Sequence, residues 1–166
     1  LSNLCRAHHQ GARTNLMPRV KERMQGEAYR SMEQARFPDR YQVTIAVEEG
    51  LEEVLLPPFL IQILLENAFK HAFGSRKTDN RVWIDVRSSP DGVFISVRDN
   101  GEGIDTKRLE KLGKEAVPSL EGTGSALDNL NKRLTSLFGE SAKLHFVSSP
   151  TGTTVHCTVP YQERQG

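Results

Sequence analysis

The most restrictive stretch of the chain is Val93-Phe94-Ile95-Ser96-Val97-Arg98-Asp99-Asn100-Gly101-Glu102-Gly103. Side chains two apart share one face of a strand, so Val93, Ile95, Val97 and Asp99 point the same way. Three of the four are core residues. The fourth is a carboxylate, which a core tolerates only when it is paired. A strand ending on an inward Asp and running straight into Gly101 and Gly103 must bend sharply or let a ligand approach its backbone. A hairpin turn with a capping Asp fits the same letters, so the stretch alone fixes a strand and not a role.

Other elements follow from the same two periods. Val82-Trp83-Ile84-Asp85-Val86 reads as the preceding strand, joined through the turn Ser89-Pro90-Asp91-Gly92. Tyr41, Val43, Ile45 and Val47 alternate as another. Pro57-Pro58 opens a helix whose single stripe holds Leu60, Ile63, Leu64, Asn67, Ala68 and His71. Leu127, Leu130, Leu134, Leu137 and Phe138 mark a second helix. Leu144 to Val147, the turn Pro150-Thr151-Gly152, and Thr153 to Val159 close the chain as a hairpin.

Upstream, Leu16, Val20, Met24, Ala28, Met32 and Ala35 recur at helical spacing from Met17-Pro18 until Phe37-Pro38-Asp39 stops them. That stripe fits this domain or a partner helix equally well. Residues 105–121 are charged, carry Gly113 and Pro118, and read as a mobile connection. The mixture predicts an α+β fold: a two-layer α/β sandwich with a mixed sheet, helices on one face, and a preceding N-terminal helical segment.

Composition narrows the function classes. A chain of 166 residues that is 37% hydrophobic supports one core with a helical extension, and excludes disorder along its whole length. A formal charge of +1 supplies no field for nucleic acid. Cys5 and Cys157 stand at opposite ends without metal-ligand spacing, which fits a reducing, cytoplasmic compartment. The longest apolar run, Leu55 to Leu65, is interrupted by Pro57, Pro58 and Gln62 and is too short to span a membrane. The chain starts at Leu1 in mid-pattern and is expected to be a piece of a longer protein, which leaves an upstream membrane anchor open.

Two more segments carry chemistry. In Glu66-Asn67-Ala68-Phe69-Lys70-His71, Asn67 sits on the apolar stripe. Its amide is either tied to backbone or offers an oxygen to Mg²⁺, with Lys70 and His71 near phosphates. Gly122-Thr123-Gly124-Ser125-Ala126-Leu127 leads into the Leu127 helix and would present free N–H groups to an anion. A flexible linker capped by Thr123 or Ser125 is the plainer alternative. Neither a P-loop nor a dinucleotide fingerprint is present.

In this order the three segments resemble the ATP-binding fold (the Bergerat-type fold) of histidine kinases, gyrase, the ninety-kilodalton chaperones and mismatch-repair ATPases. Within it, the likeness is to the LytS-like class of sensor histidine kinases. It rests on Leu56 to His71, on Asp99-Asn100-Gly101-Glu102-Gly103-Ile104, and on Gly122-Thr123-Gly124 with Asp128-Asn129-Leu130-Asn131-Lys132-Arg133-Leu134. Gly152-Thr153-Thr154-Val155 is similar to the family's final strand, and Glu33 to Arg40 to the segment leading into the domain.

The resemblance implies ATP and Mg²⁺ as cofactors. It assigns Asn67 to Mg²⁺, Asp99 to the adenine amino group, Lys70 and His71 to the phosphates, and Gly101 and Gly103 to the adenine pocket. Gly122, Thr123, Gly124, Ser125, Ala126 and Leu127 become the phosphate loop, and residues 105–121 the lid. The family usually has Gly-Ile-Gly-Leu or Gly-Leu-Gly-Leu where this chain has Gly124-Ser125-Ala126-Leu127. Ile63 occupies the position of the catalytic Glu of gyrase-like ATPases. No acceptor-histidine box matches, and His8 and His9 lie downstream of where it belongs.

The implied protein is a two-component kinase that phosphorylates a histidine upstream of this chain. Its implied partners are that phosphoacceptor helix, a response regulator and a second copy in the full-length homodimer; nucleic acid is not among them. The implied division is a helical segment 1–36, an ATP-binding domain 37–162 and a tail 163–166, cytoplasmic within a membrane-anchored parent. A nucleotide-gated ATPase or chaperone-like module, and a non-catalytic interaction domain of the same fold, are the alternatives.

Overall fold

Alternation of apolar and polar side chains produces five strands in the computed structural model, which describes residues 19–35, 37–71, 78–103 and 123–163. They are β1 (Tyr41–Val47), β2 (Asn80–Ser89), β3 (Gly92–Asp99), β4 (His145–Ser149) and β5 (Gly152–Val159). The sheet order is β1-β2-β3-β5-β4. Only β1 and β2 are parallel, a pairing that needs a crossover. Helix α2 (Leu60–His71) supplies it, between α1 (Val20–Gln34) and α3 (Thr123–Phe138).

Register stacks the apolar residues in rows. Val86, Ile95 and Cys157 form one, and Ile84, Val97 and Val155 the next. All six are buried, under Leu60, Ile61, Leu64 and Leu65 of α2 and Leu127, Leu130 and Leu134 of α3. This is the expected α+β sandwich. Burial pushes the Cys157 thiol up to about 12, so it behaves as an apolar filler. Among the described residues no helix is long and apolar enough to cross a membrane.

Helix α1 belongs to this core: Val20, Met24 and Ala28 are buried in the same cluster, while Leu16 lies outside the described residues. Its first N–H is satisfied by the Glu52 carbonyl at 3.0 Å rather than by a side-chain cap. Glu27 and Ser31 are buried on the same helix, with the Ser31 hydroxyl donating to the Glu27 carbonyl at 3.0 Å.

Two expected boundaries shift and one expected core position moves outside the core. Pro57-Pro58 does not begin α2. The prolines hold Leu56 and Pro57 extended, Phe59 follows with φ 64°, and the helix starts at Leu60. A phenylalanine at positive φ is held only where its surroundings fix it, and two other helices do so. Arg23 Nη2 donates to the Leu56 carbonyl at 3.2 Å, and Arg133 Nη2 to the Pro58 carbonyl at 3.0 Å. The Glu27 carboxylate faces the N–H groups of Gln62 and Phe59.

The second shift is in α3, which starts at Thr123. Gly124, Ser125 and Ala126 therefore form its first turn instead of a loop ahead of it. Third, Leu137 lies at the edge of the α3 stripe in its last turn and is 59% exposed, outside the core.

Candidate functional site

One end of the sheet gathers the chemistry. Tyr41 pairs with Asn80, Val82 with Asp99, and the Asn100 N–H reaches the Arg81 carbonyl at 3.2 Å. The last turns of α2 lie over this end: the Tyr41 and Phe69 rings are 4.5 Å apart, and the Tyr41 hydroxyl donates to the Phe69 carbonyl at 3.4 Å. Asn67 and Lys70 thus stand on the helix segment above the strand end that carries Asp99.

Asp99 is 8% exposed. Its Oδ1 accepts the N–H of Gly101 at 2.9 Å and the N–H of Thr153 at 3.2 Å. Among the described residues no hydrogen bond reaches its Oδ2. Burial raises the Asp99 pKa above the ordinary carboxylate value, and the two backbone N–H groups offset part of that rise. An inward carboxylate held at one oxygen, with the other unspent, is arranged to accept from a ligand.

The turn around it is built for close approach. Gly103 has φ +84°, and a Cβ there would lie 2.1 Å from the Ser149 carbonyl oxygen. Gly152 has φ +153°, and its Cβ would lie 2.1 Å from the Asp99 carbonyl oxygen. Gly101 is buried. Asn100 pins the turn to β2: its Oδ1 accepts the Arg81 N–H and its Nδ2 donates to the Asp79 carbonyl, both at 2.8 Å. The Thr153 and Ser148 hydroxyls bond each other at 2.8 Å beside it.

Asn67 is half-buried and its side chain makes no hydrogen bond among the described residues, so no backbone tie occupies its amide. Lys70 is exposed. The His71 backbone ends α2, and its side chain lies outside the described residues. So do Gly122, the side chains of Thr123 and Ser125, and the whole of 105–121. Thr123 and Gly124 start α3, Ala126 is half-buried, and Leu127 is fully buried. The first N–H groups of a helix have no partner within it and carry the positive end of its dipole. Arg133, late in α3, meets the Pro58 carbonyl just ahead of α2.

Sequence reasoning missed Thr153, Gly152 and Asn100 as parts of the site. Gly152 and Thr153 had a signal in the resemblance to a final strand. Pairing Thr153 with Asp99, however, requires the β3–β5 register, which no local pattern contains. Among the described residues no three His, Cys, Asp or Glu side chains gather as a metal cluster.

Comparison with known proteins identifies the family and the fold. The pattern describing histidine kinase-, DNA gyrase B-, and HSP90-like ATPases matches residues 58–163. The sensor protein LytS of Staphylococcus saprophyticus is 49% identical over 161 residues, covering 97% of this chain and 27% of that protein. The sensor histidine kinase/phosphatase LytS of Staphylococcus aureus is 48% identical over 166 residues, 99% of this chain and 28% of the relative. The chain thus spans about a quarter of these relatives. The catalytic domain of histidine kinase ThkA superposes with a TM-score of 0.64 at 16% identity, covering 88% of this chain and 96% of that one. At that identity the likeness speaks for the fold.

Proposed function

Because the chain belongs to the histidine kinase-, DNA gyrase B-, and HSP90-like ATPases, we propose that it is the catalytic domain of a LytS-like sensor kinase, binding Mg·ATP and handing the γ-phosphoryl group to a histidine upstream of Leu1. The observation that carries the reading is Asp99, buried, held at Oδ1 by two backbone N–H groups and open at Oδ2. An ionised carboxylate only accepts, so it suits the adenine N6 amino group and repels the carbonyl that guanine presents there.

The remaining roles follow the same end of the molecule. Gly101 and Gly103 form the floor of the adenine pocket, and a side chain at Gly103 would collide with the Ser149 backbone. Asn67, with its amide uncommitted, offers an oxygen to Mg²⁺, which when bound neutralises phosphate charge. Lys70, His71 and the stretch Gly122-Thr123-Gly124-Ser125-Ala126-Leu127 hold the phosphates. Catalysis here is positioning: the chain fixes the γ-phosphoryl so that an acceptor nitrogen can approach in line. Ile63, half-buried and apolar, stands where gyrase-like ATPases carry a water-activating Glu, which favours transfer over hydrolysis.

On this reading segment 1–36 connects to the phosphoacceptor helix, 37–162 binds ATP, and 163–166 is a tail. The full-length protein works as a homodimer with a response regulator, its kinase part cytoplasmic and its parent anchored in a membrane. The test is a calorimetric titration with ATP and with GTP, each with and without Mg²⁺. Tight ATP binding that improves with Mg²⁺ and a GTP affinity at least about tenfold weaker are expected. Equal affinity for both purines sinks the Asp99 assignment, and no binding of either marks an interaction domain of the same fold. With γ-labelled ATP the 166-residue chain should stay unlabelled until the upstream helix is added. An acid-labile, base-stable label on His8 or His9 of the chain alone refutes the upstream acceptor.

A further inference from the structure

The sheet face turned away from the helices carries two histidines that the nucleotide site does not use. His145 of β4 and His156 of β5 are direct cross-strand partners. Their rings are stacked with centroids 5.2 Å apart and planes 17° apart. His156 is held from its other side by Phe94, with ring centroids 5.2 Å apart, and the Arg87 guanidinium lies over Phe94 at 5.8 Å. His145 is exposed and His156 half-buried.

We propose that His145 and His156 form a two-histidine site for a borderline transition-metal cation, Cu²⁺, Ni²⁺ or Zn²⁺. Imidazole is the protein ligand those ions share, and hard cations such as Mg²⁺ prefer oxygen. Two bonds of about 2.0–2.1 Å at a tetrahedral angle put the ligand nitrogens about 3.3 Å apart. The rings are stacked only 17° from parallel, so side-chain rotations that turn them out of the stack are what bring one nitrogen of each to that separation on a shared ion. The Phe94 ring packs against His156 and limits where that ring can turn.

Charge on this face does not forbid a cation. Asp85 occupies the same cross-strand row, through Ser96. Two guanidiniums of this face are turned onto rings, Arg98 over Trp83 at 4.2 Å and Arg87 over Phe94. Water completes the coordination on the exposed side, so the site is open rather than caged. It stands apart from the Asp99 end and does not depend on the kinase reading.

The experiment titrates the 166-residue chain with NiCl₂, ZnCl₂ and CuCl₂ by calorimetry, with MgCl₂ as control, and repeats it on H145Q, H156Q and the double variant H8Q/H9Q. Loss of a ligand should weaken Ni²⁺ binding at this site at least as much as the 10- to 100-fold roughly typical of a lost outer-shell partner. The H8Q/H9Q variant should keep the site, and Mg²⁺ should not compete. Copper should broaden the backbone amides of Phe146 and Val155 in the parent and not in H145Q. Unchanged Ni²⁺ affinity in H145Q, or binding that vanishes only in H8Q/H9Q, overturns the proposal, as does a parent that binds none of the three ions. His145 is exposed, so H145Q decides the matter if H156Q fails to fold.

Discussion

At its first turn α2 is gripped by side chains from both other helices, whereas near its last turn the Asn67 side chain makes no hydrogen bond among the described residues. Arg23 Nη2, Arg133 Nη2 and the Glu27 carboxylate reach the backbone of Leu56, Pro58, Phe59 and Gln62, although Arg23 Nε, Glu27 Oε1 and Arg133 Nε are buried without a partner among the described residues. That end is scaffold. The other end lies over Asp99, whose Oδ2 is likewise unspent. Side chains that bridge helices to backbone help to fix one structure, and an acceptor that faces a pocket is available to a ligand. The two ends should therefore fail differently when altered.

The largest effect belongs to the gripped end. Leu60→Ala removes a fully buried side chain and should cost about 2–5 kcal/mol, read as a lower urea midpoint. The folded fraction should bind ATP as before; a loss of affinity equal to the loss of stability would erase the distinction between the ends.

Asp99→Asn should do the opposite. It is expected to weaken ATP by about 1.5–3 kcal/mol, on the order of 10- to 100-fold, through a lost charge-assisted acceptor. Stability should hold or rise, because burial already penalises the ionised carboxyl. A D99N protein that binds ATP like the parent breaks the comparison from the open side. Binding by the parent should also weaken as pH falls through the raised pKa of Asp99, since a protonated carboxyl has lost its charge.

Gly103→Ala sharpens the boundary between the two behaviours. The positive φ alone costs about 1–2 kcal/mol for a residue with a Cβ, and the Ser149 carbonyl stands in the way. Both the urea midpoint and the ATP affinity should drop; an unaltered affinity would place Gly103 outside the pocket.

The smallest effect is a slope. The pKa of Glu27 is raised, chiefly by burial, so the folded chain holds that proton to higher pH than the unfolded chain does. Its contribution is greatest at pH values below the ordinary Glu value of 4.5 and is lost as pH rises through the raised value. Urea midpoints of Glu27→Gln against pH should lack that part of the fall. Parallel curves for the two proteins would show that Glu27 does not set it.

The strand faces were legible in the sequence because period two is local: Val93, Ile95, Val97 and Asp99 point inward as the alternation required. The allegiance of α1 was not, since a stripe of Val20, Met24 and Ala28 shows that it needs cover without saying which surface provides it. The conformation of Phe59 was hidden for the same reason, being held by Arg23, Glu27 and Arg133 from distant parts of the chain. Asn67 and Asp99 could be singled out as chemistry-bearing residues. That Thr153 completes the hold on Asp99 depends on register, which one strand does not encode.

The bond from Thr153 to Asp99 joins residues 54 apart in sequence, and this separation has a consequence for how the protein comes into being. On a ribosome the carboxylate emerges long before the amide that orients it, so the pocket has no finished form until the final hairpin is made. Chains interrupted before β5 should carry Asp99 without its second donor, however well their helices form. The span between the two is nevertheless forgiving, because loop closure grows only logarithmically, about 0.6 kcal/mol for each doubling of length. Insertions and deletions in the connections flanking α3 and β4 can therefore accumulate over evolutionary time while the two anchoring residues stay in register.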